Sequence, residues 1–432
     1  MLDGGGNMDA LRIRGGKRLK GEWTVQNAKN AALPIMAGAI LTEGKTLLRD
    51  CPRLSDISDM GEILRTLGCG VHRDGGTLEI DPGGLCGYEM PEELSKRIRS
   101  SIFLLGPILA RFRRANVSLP GGCEIGLRPI DLHLSGLRQL GVQMEEEGGV
   151  IRCDGRNMHP ATVHFDYPSV GATENVMMAA ALLRGETVLN NVAREPEILD
   201  LQRFLNAMGA KITGAGTNSI RVQGVSRLAC VEYRPMPDRI AAGTLLAAAA
   251  VTGGSVRLRN VPVEEMLAVI AKLEEMGCVI SRQENALTLH GPERLSAFAQ
   301  LQTQPHPGFP TDMQAQMMAI ASLAKGTSVV VENVFENRFA HAGDLNRMGA
   351  NILINGRTAV IRGVERLSGA RVTARDLRGG AALAIAGLAA QGETIVERAR
   401  LIDRGYESLE TALTHLGADV QRISVERGEE HP

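Results

Sequence analysis

The sequence predicts an α/β protein of two similar domains, each built from three repeats. Three observations carry this. The chain has 432 residues, too many for one ordinary hydrophobic core. A helix-ending signature, Leu or Met followed by Gly, recurs at Gly68, Gly141, Gly209, Gly277, Gly349 and Gly417, at spacings of 73, 68, 68, 72 and 68 residues. Ala-rich runs such as NVMMAAALL (175–183) and GTLLAAAAV (243–251) are apolar on every side, the pattern of a helix buried all round.

Each recurring Gly stands where a helix ends in the left-handed conformation, which only Gly adopts at little cost. The stretches that follow, for example VHRDGGTLEID (71–81) and ANILINGRTAVIR (350–362), alternate around polar turns and read as paired strands. Further β-rich stretches begin at Gly44, Gly185, Gly254, Gly326 and Gly392, where Ala-rich runs end. The repeat is therefore helix, strand, helix, strand, strand. Small Ala side chains let helices pack closely, so three repeats share one set of central helices with sheets outside. The second repeat departs from this pattern. Its segment RFRRANVSLPGGCEIGLRPIDLH (111–133) is a Gly- and Pro-rich insertion carrying Cys123 and several Arg. Such a departure is where function is grafted onto a repeat.

Composition narrows the chemistry. With one Trp, four Tyr and eight Phe, the core must be built from Ala, Leu, Ile, Val and Met. A net charge of −1 excludes the strong basic bias of a general nucleic-acid or membrane-surface binder. An anionic ligand then needs a local cluster of Lys and Arg. The seven Cys are odd in number and show no CxxC spacing, so reduced, mostly buried thiols are expected. No metal-binding cluster is visible, and neither a metal nor a cofactor is expected. The opening MLDGGGNMDA is acidic and Gly-rich, unlike a secretory signal. No apolar run reaches the roughly 18–20 residues that span a bilayer. A cytoplasmic protein is expected, with Met8 an alternative start after a disordered leader.

Candidate site residues gather at repeat junctions. Lys29 and Asn30 lie just before a buried helix. A Lys there opposes the positive helix end unless an anion lies between; a solvated turn Lys is the alternative. Arg97 and Arg99 point in different directions on a helix, so one of them is an ordinary surface Arg. Cys123 follows Pro120-Gly121-Gly122 and is flanked by Arg113, Arg114 and Arg128, cations that favour a thiolate; an incidental surface Cys is the alternative. Asp312 in FPTDMQAQ suits a general base, but from the motif alone a helix cap by Thr311 or Asp312 is the favoured reading. Asp376 with Arg378, Asp403 with Arg404, and Arg194 with Glu195 and Glu197 read as surface salt bridges, or as charged junctions that two facing domains bring into one cleft.

Nine motifs in order carry a resemblance. They are NAKNAALP (27–34), IRSSIFLLGPILARF (98–112), VSLPGGCEIGLRPIDLHLSGL (117–137), SVGATENVMMAA (169–180), AREPEILDL (193–201), PHPGFPTDMQAQ (305–316), VFENRFAH (334–341), ARDLRGGAAL (374–383) and IDRGYE (402–407). In order and spacing the chain resembles the UDP-N-acetylglucosamine enolpyruvyl transferase family, from about residue 9 onward. The resemblance implies two inside-out α/β barrels, roughly 29–236 and 1–28 with 237–432, and a cleft that closes on substrate. It implies transfer of the enolpyruvyl group of phosphoenolpyruvate to the sugar 3′-hydroxyl, the first committed step of peptidoglycan synthesis, and so a part in cell shape and division. It names no protein partner.

By motif match, Lys29, Arg128 and Arg404 would hold phosphoenolpyruvate, with Arg99 nearby. Asn30 and Asp312 would meet the sugar. Arg128, Pro129, Ile130, Asp131 and Leu132, with Ser169, Val170 and Gly171, would hold the nucleotide, and Val334 would also bind substrate. Asp376 and Arg378 would act around a tetrahedral intermediate, and Asp312 would accept the hydroxyl proton. Cys123 matches the family's reactive cysteine, which donates a proton to the methylene carbon and is alkylated by fosfomycin. The sequence departs from the family's usual residues at Gln26, Asn27, Ala241 and Leu401. The sister transferase acting on shikimate 3-phosphate lacks the PGGC loop and the RPxDLH segment. Cys123→Ser is expected to abolish fosfomycin labelling with the circular dichroism spectrum unchanged; an adduct on the variant, read by mass spectrometry, would remove Cys123 from this role.

Overall fold

The computed structural model describes residues 7–118 and 130–426. They form two compact units, one of residues 27–118 with 130–236, the other of residues 7–26 with 237–426. Asn27 and Ala28 thus lie with the unit that the resemblance began at Lys29.

In the 27–236 unit the central helices are Lys29–Gly38, Leu105–Phe112 and Val170–Ala180. From Ala172 to Ala180 every residue is buried. Helices Ser55–Thr66, Asp131–Gln139 and Pro196–Ala207 each bury one face. In the other unit the central helices are Arg239–Val251, Gln314–Ala321 and Leu377–Ala389. One-sided helices Leu267–Glu275, Ala342–Arg347 and Leu409–His415 accompany them. The six glycines that end the one-sided helices have φ between +90° and +103°, the left-handed conformation read from the sequence.

Among the described residues there are five four-stranded sheets and one three-stranded sheet. The pairing repeats. Strand Gly185–Asn190 pairs antiparallel with Ser219–Gly224 and parallel with Thr162–His164. The central helix Val170–Ala180 is the crossover between the two parallel strands, the connection that parallel pairing requires. Gln300–Gln302 and Thr327–Val331 flank helix Gln314–Ala321 in the same way, as Arg371–Thr373 and Glu393–Glu397 flank Leu377–Ala389. The five-element repeat read from the sequence therefore lacked one strand. Two or three residues are too few to show alternation. In the second repeat a single parallel bridge, Glu89 to Asn116, takes this place.

Two of these short strands are exchanged along the chain. Lys20–Thr24 leads into helix Lys29–Gly38 of the 27–236 unit but pairs with Ser255–Arg259, within its own unit. Glu232–Tyr233 leads into helix Arg239–Val251 but pairs with Thr46–Leu48. Each unit is thus completed by a strand from the far side of a chain crossing.

Of the six described cysteines, Cys51, Cys69, Cys153 and Cys278 are buried, while Cys86 and Cys230 are exposed. Burial pushes the thiols of Cys69, Cys153 and Cys278 up, to about 11, 12 and 12, so they stay protonated and inert. No helix among the described residues is long and apolar enough to cross a membrane. Residues 1–6, on which the leader reading falls, lie outside the described residues, and Asn7 already belongs to strand Asn7–Arg14.

The sheets approach the helix ends closely. A Cβ on Gly224 would lie 1.6 Å from the Leu183 carbonyl oxygen, and one on Gly363 would lie 1.6 Å from that of Ala324. Gly224→Ala is expected to destabilise its unit by about 2–3 kcal/mol, lowering the thermal midpoint by several degrees; an unchanged midpoint would show that the strand can move aside.

Candidate active site

Lys29 is the first residue of its central helix, and its ammonium donates to Asp56 Oδ2 at 3.1 Å. The two side chains are 11% and 5% exposed, so Lys29 is not a solvated turn residue. The anion that the helix end required is supplied in part by Asp56, from helix Ser55–Thr66. Sequence reading missed Asp56 because it lies 27 residues away, with no local mark. Asn30 is half-buried beside Lys29.

Arg99 starts the 3-10 turn Arg99–Leu104, which runs into helix Leu105–Phe112. It is half-buried and Arg97 is exposed, which separates the pair that sequence left open. Ile130 is buried, Leu132 half-buried and Asp131 exposed at the start of helix Asp131–Gln139. Ser169 caps helix Val170–Ala180, accepting from the Ala172 N–H. Val170 and Gly171 follow, half-buried. Cys123, Arg128 and Pro129 lie outside the described residues. In AREPEI, Glu197 is buried and Arg194 exposed.

A buried bridge ties these segments together. Asn175 Nδ2 donates to the Ile102 carbonyl at 2.7 Å and to His133 Nδ1 at 3.0 Å, and Asn175 Oδ1 accepts from the Gly106 N–H. Burial, with the charge of Arg99, lowers the His133 pKa to about 3. The ring is neutral, Nδ1 is the acceptor, and the proton sits on Nε2. A Cβ on Gly171 would meet the His133 ring at 2.9 Å and Phe103 at 3.1 Å, so only Gly fits there.

In the other unit Asp312 does not act as a helix cap, which corrects the reading favoured from the motif. The helix Gln314–Ala321 has no side-chain cap. Instead Asp312 Oδ1 accepts from Arg338 Nη2 at 2.6 Å and Oδ2 from Arg378 Nη2 at 3.0 Å. Both guanidiniums are 4% exposed and the carboxylate 25%. Two buried cations outbid backbone N–H groups for a carboxylate. Arg338 and its loop partner Glu332 were not singled out from sequence.

Asp376 is the cap residue of its helix, with Oδ1 accepting from the Arg378 and Gly379 N–H groups at 2.9 Å each. Asp376 and Arg378 are 7% and 3% exposed, so they are no surface pair. Arg378 also lies 5.3 Å over the Tyr406 ring. Buried His341 sits against Gly379, between the charges of Asp376 and Arg338, and burial lowers its pKa to about 4. Val334 donates its N–H to Glu332 Oε1 at 2.9 Å.

Comparison with known proteins gives the family and the fold. Residues 13–413 match the family described as EPSP synthase (3-phosphoshikimate 1-carboxyvinyltransferase). The UDP-N-acetylglucosamine 1-carboxyvinyltransferase 2 of Caldanaerobacter subterraneus subsp. tengcongensis is 51% identical over 416 residues, covering 96% of this chain and 100% of that protein. The UDP-N-acetylglucosamine 1-carboxyvinyltransferase 1 of Symbiobacterium thermophilum is 52% identical over 417 residues, covering 95% and 94%. The chain belongs to the UDP-N-acetylglucosamine 1-carboxyvinyltransferase family. The crystal structure of the enolpyruvyl transferase NikO from Streptomyces tendae shares the fold, with a TM-score of 0.87 at 24% identity, covering 97% of this chain and 100% of that one.

The positions that depart from the family's usual residues are all built into the unit that holds them. Gln26 donates to the Gly405 carbonyl at 3.1 Å and accepts from the Glu407 N–H at 2.7 Å, clamping the turn after Arg404. Asn27 donates to the Asp50 carbonyl at 3.1 Å. Ala241 is buried on its helix, and Leu401 packs partly buried against the core. Arg404 is half-buried at the end of the 3-10 turn Ala399–Arg404. Its neighbour Asp403 pairs with Arg422, which also meets Asp9 and Glu410.

The buried neutral His133 ties stability to pH. The unfolded chain takes up a proton near pH 6.5, which the folded state refuses down to about pH 3. Its contribution is complete above 6.5 and is lost as pH falls below it. The stability difference between wild type and His133→Gln is expected to shrink from pH 7 to pH 4, on the order of 1 kcal/mol per pH unit below 6. Denaturation curves that run parallel at all pH values would show that His133 titrates normally.

Proposed function

We propose that the chain transfers the enolpyruvyl group of phosphoenolpyruvate to the 3′-hydroxyl of UDP-N-acetylglucosamine with release of phosphate, in the cytoplasm, as the first committed step of peptidoglycan synthesis. The observation that carries the assignment is the 51–52% identity, along nearly the whole chain, to two proteins of that name.

The residue types suit the chemistry. Phosphoenolpyruvate brings a phosphate and a carboxylate, so Lys29, Arg128 and Arg404 hold it, with Arg99 beside them; Arg gives planar bidentate contacts. Arg128 to Leu132, Ser169, Val170 and Gly171 hold the nucleotide, Asn30 the sugar, and Val334 is a further substrate contact. The Cys123 thiol gives its proton to the methylene carbon, which leaves an oxocarbenium-like centre on the neighbouring carbon. The 3′-hydroxyl oxygen bonds to that centre and its proton passes to Asp312. The Cys123 thiolate then takes back a proton from the new methyl group as the carbon–phosphate oxygen bond breaks, which expels phosphate and restores the vinyl group.

The geometry supports the role of Asp312. A carboxylate offers about four lone-pair sites, and one on each oxygen is taken by a buried guanidinium. The two guanidiniums fix the group in place. Asp376 makes both cap bonds through Oδ1 alone, and Arg378 joins Asp312 to the same helix end.

Phosphate release from phosphoenolpyruvate is expected to depend on UDP-N-acetylglucosamine and not to occur with shikimate 3-phosphate. Asp312→Ala is expected to lose turnover by at least about a hundredfold while keeping sugar-nucleotide binding by calorimetry. Turnover with shikimate 3-phosphate would overturn the acceptor assignment. No release with either acceptor, from folded protein, would favour a sugar-nucleotide-binding protein instead.

A further inference from the structure

Glu332 is 1% exposed and has no part in the chemistry above. A carboxylate so buried is costly unless its oxygens are well supplied with donors. Oε1 accepts from Thr303 Oγ1 at 2.8 Å, the Val334 N–H at 2.9 Å and the Phe335 N–H at 3.1 Å. Oε2 accepts from Thr311 Oγ1 at 2.9 Å. The first three bonds fix a loop. The fourth leads elsewhere.

A Thr hydroxyl has one proton. Because Thr311 gives that proton to Glu332, it meets Arg338 only as an acceptor, from Nη1 at 2.7 Å. The other arm of the same guanidinium, Nη2, donates to Asp312 Oδ1 at 2.6 Å. The Arg338 guanidinium carbon also lies 5.0 Å over the ring of Phe335, whose own N–H is bound to Glu332. The guanidinium is held by a hydroxyl, a ring face and a carboxylate. Two of those three holds trace back to Glu332.

We propose that Glu332 is a positioning residue of the transfer reaction, which through Thr311 and Arg338 sets the direction in which Asp312 presents its carboxylate to the sugar hydroxyl. The proposal rests on the reading that Asp312 accepts the hydroxyl proton. The same carboxylate holds the backbone of Val334, so one buried charge keeps the acceptor of the proton in register with a proposed substrate contact. A purely structural Glu332 would need only the loop bonds.

Thr311→Val tests the relay. It swaps a hydroxyl for a methyl group, breaks both the Glu332 and the Arg338 links, and leaves the Val334 and Phe335 N–H bonds to Glu332 in place. The relay predicts that kcat falls roughly 10- to 100-fold, with KM for UDP-N-acetylglucosamine changed less than about threefold. It also predicts that the acid limb of the kcat–pH profile moves up by about half a unit or more, since a displaced guanidinium opposes protonation of Asp312 less. Thr311→Ser restores the hydroxyl and is expected to restore kcat and the acid limb. Glu332→Gln keeps an acceptor for the loop but turns an NH2 group toward Thr311, and is expected to resemble Thr311→Val. If Thr311→Val does not fold, the Glu332→Gln and Thr311→Ser pair makes the same comparison. Wild-type kcat and an unmoved acid limb in Thr311→Val and Glu332→Gln, with Asp312→Asn inactive, would overturn the relay and leave the role of Asp312 standing. Full kcat in Asp312→Asn would remove that role, and the relay with it.

Discussion

A helix that is apolar on every side has only its ends to offer a polar ligand. Three such helices fill the centre of each unit, and their N-terminal ends are where the charged residues stand. Lys29 opens the first and Ser169 caps the third. Arg99 begins the turn that becomes the second. Asp238 and Asp376 cap two helices of the other unit, and Asp312 lies two residues before the remaining one. Helix N-termini carry partial positive charge and unpaired N–H groups. A scaffold dictated by burial therefore gathers sites suited to phosphates and carboxylates, and the repeat multiplies one such end by six.

Charge at those ends survives burial only when it is shared. Lys29 has Asp56, and Asp312 has Arg338 and Arg378. Removing one partner of such a group leaves the other stranded in a poor solvent for ions. The pairs are therefore rigid as well as soluble in the core, and rigidity is what a proton-accepting carboxylate needs to meet a hydroxyl at one angle.

What could be read from the sequence was what is written locally. A Gly four residues after a Leu, or seven or eight apolar residues in a row, declares a helix end or a buried helix by itself, and the six glycines and central helices stand where they were read. The parallel strands of two or three residues were not legible, because their identity comes from the partner strand. Helical spacing alone did not separate Arg97 from Arg99; the motif match named Arg99, and in the structure Arg97 is exposed and Arg99 half-buried. Asp312 was read first as a cap because the neighbouring helix is local, while Arg338 and Arg378 lie 26 and 66 residues away. Asp56 and Glu332 lie in none of the quoted motifs, and His133 and Asn175 lie in motifs that gave them no role; their roles are made by packing. Residues 119–129, which include Cys123 and Arg128, are outside the described structure, and their assignment rests on the motif.

The exchanged strands have a consequence for how the chain is made. Strand Lys20–Thr24 finds its partner only at Ser255–Arg259, and Asn7–Arg14 lies between Glu393–Glu397 and Asp419–Glu426. During synthesis strands Lys20–Thr24 and Asn7–Arg14 therefore wait, edges open, until residues 255–259 and then 393–426 have left the ribosome. The unit of residues 27–236 has all its paired strands much earlier. It can mature as an insert while its flanks are still searching, and exposed edge strands in that interval are places for a chaperone to bind or for two nascent chains to associate.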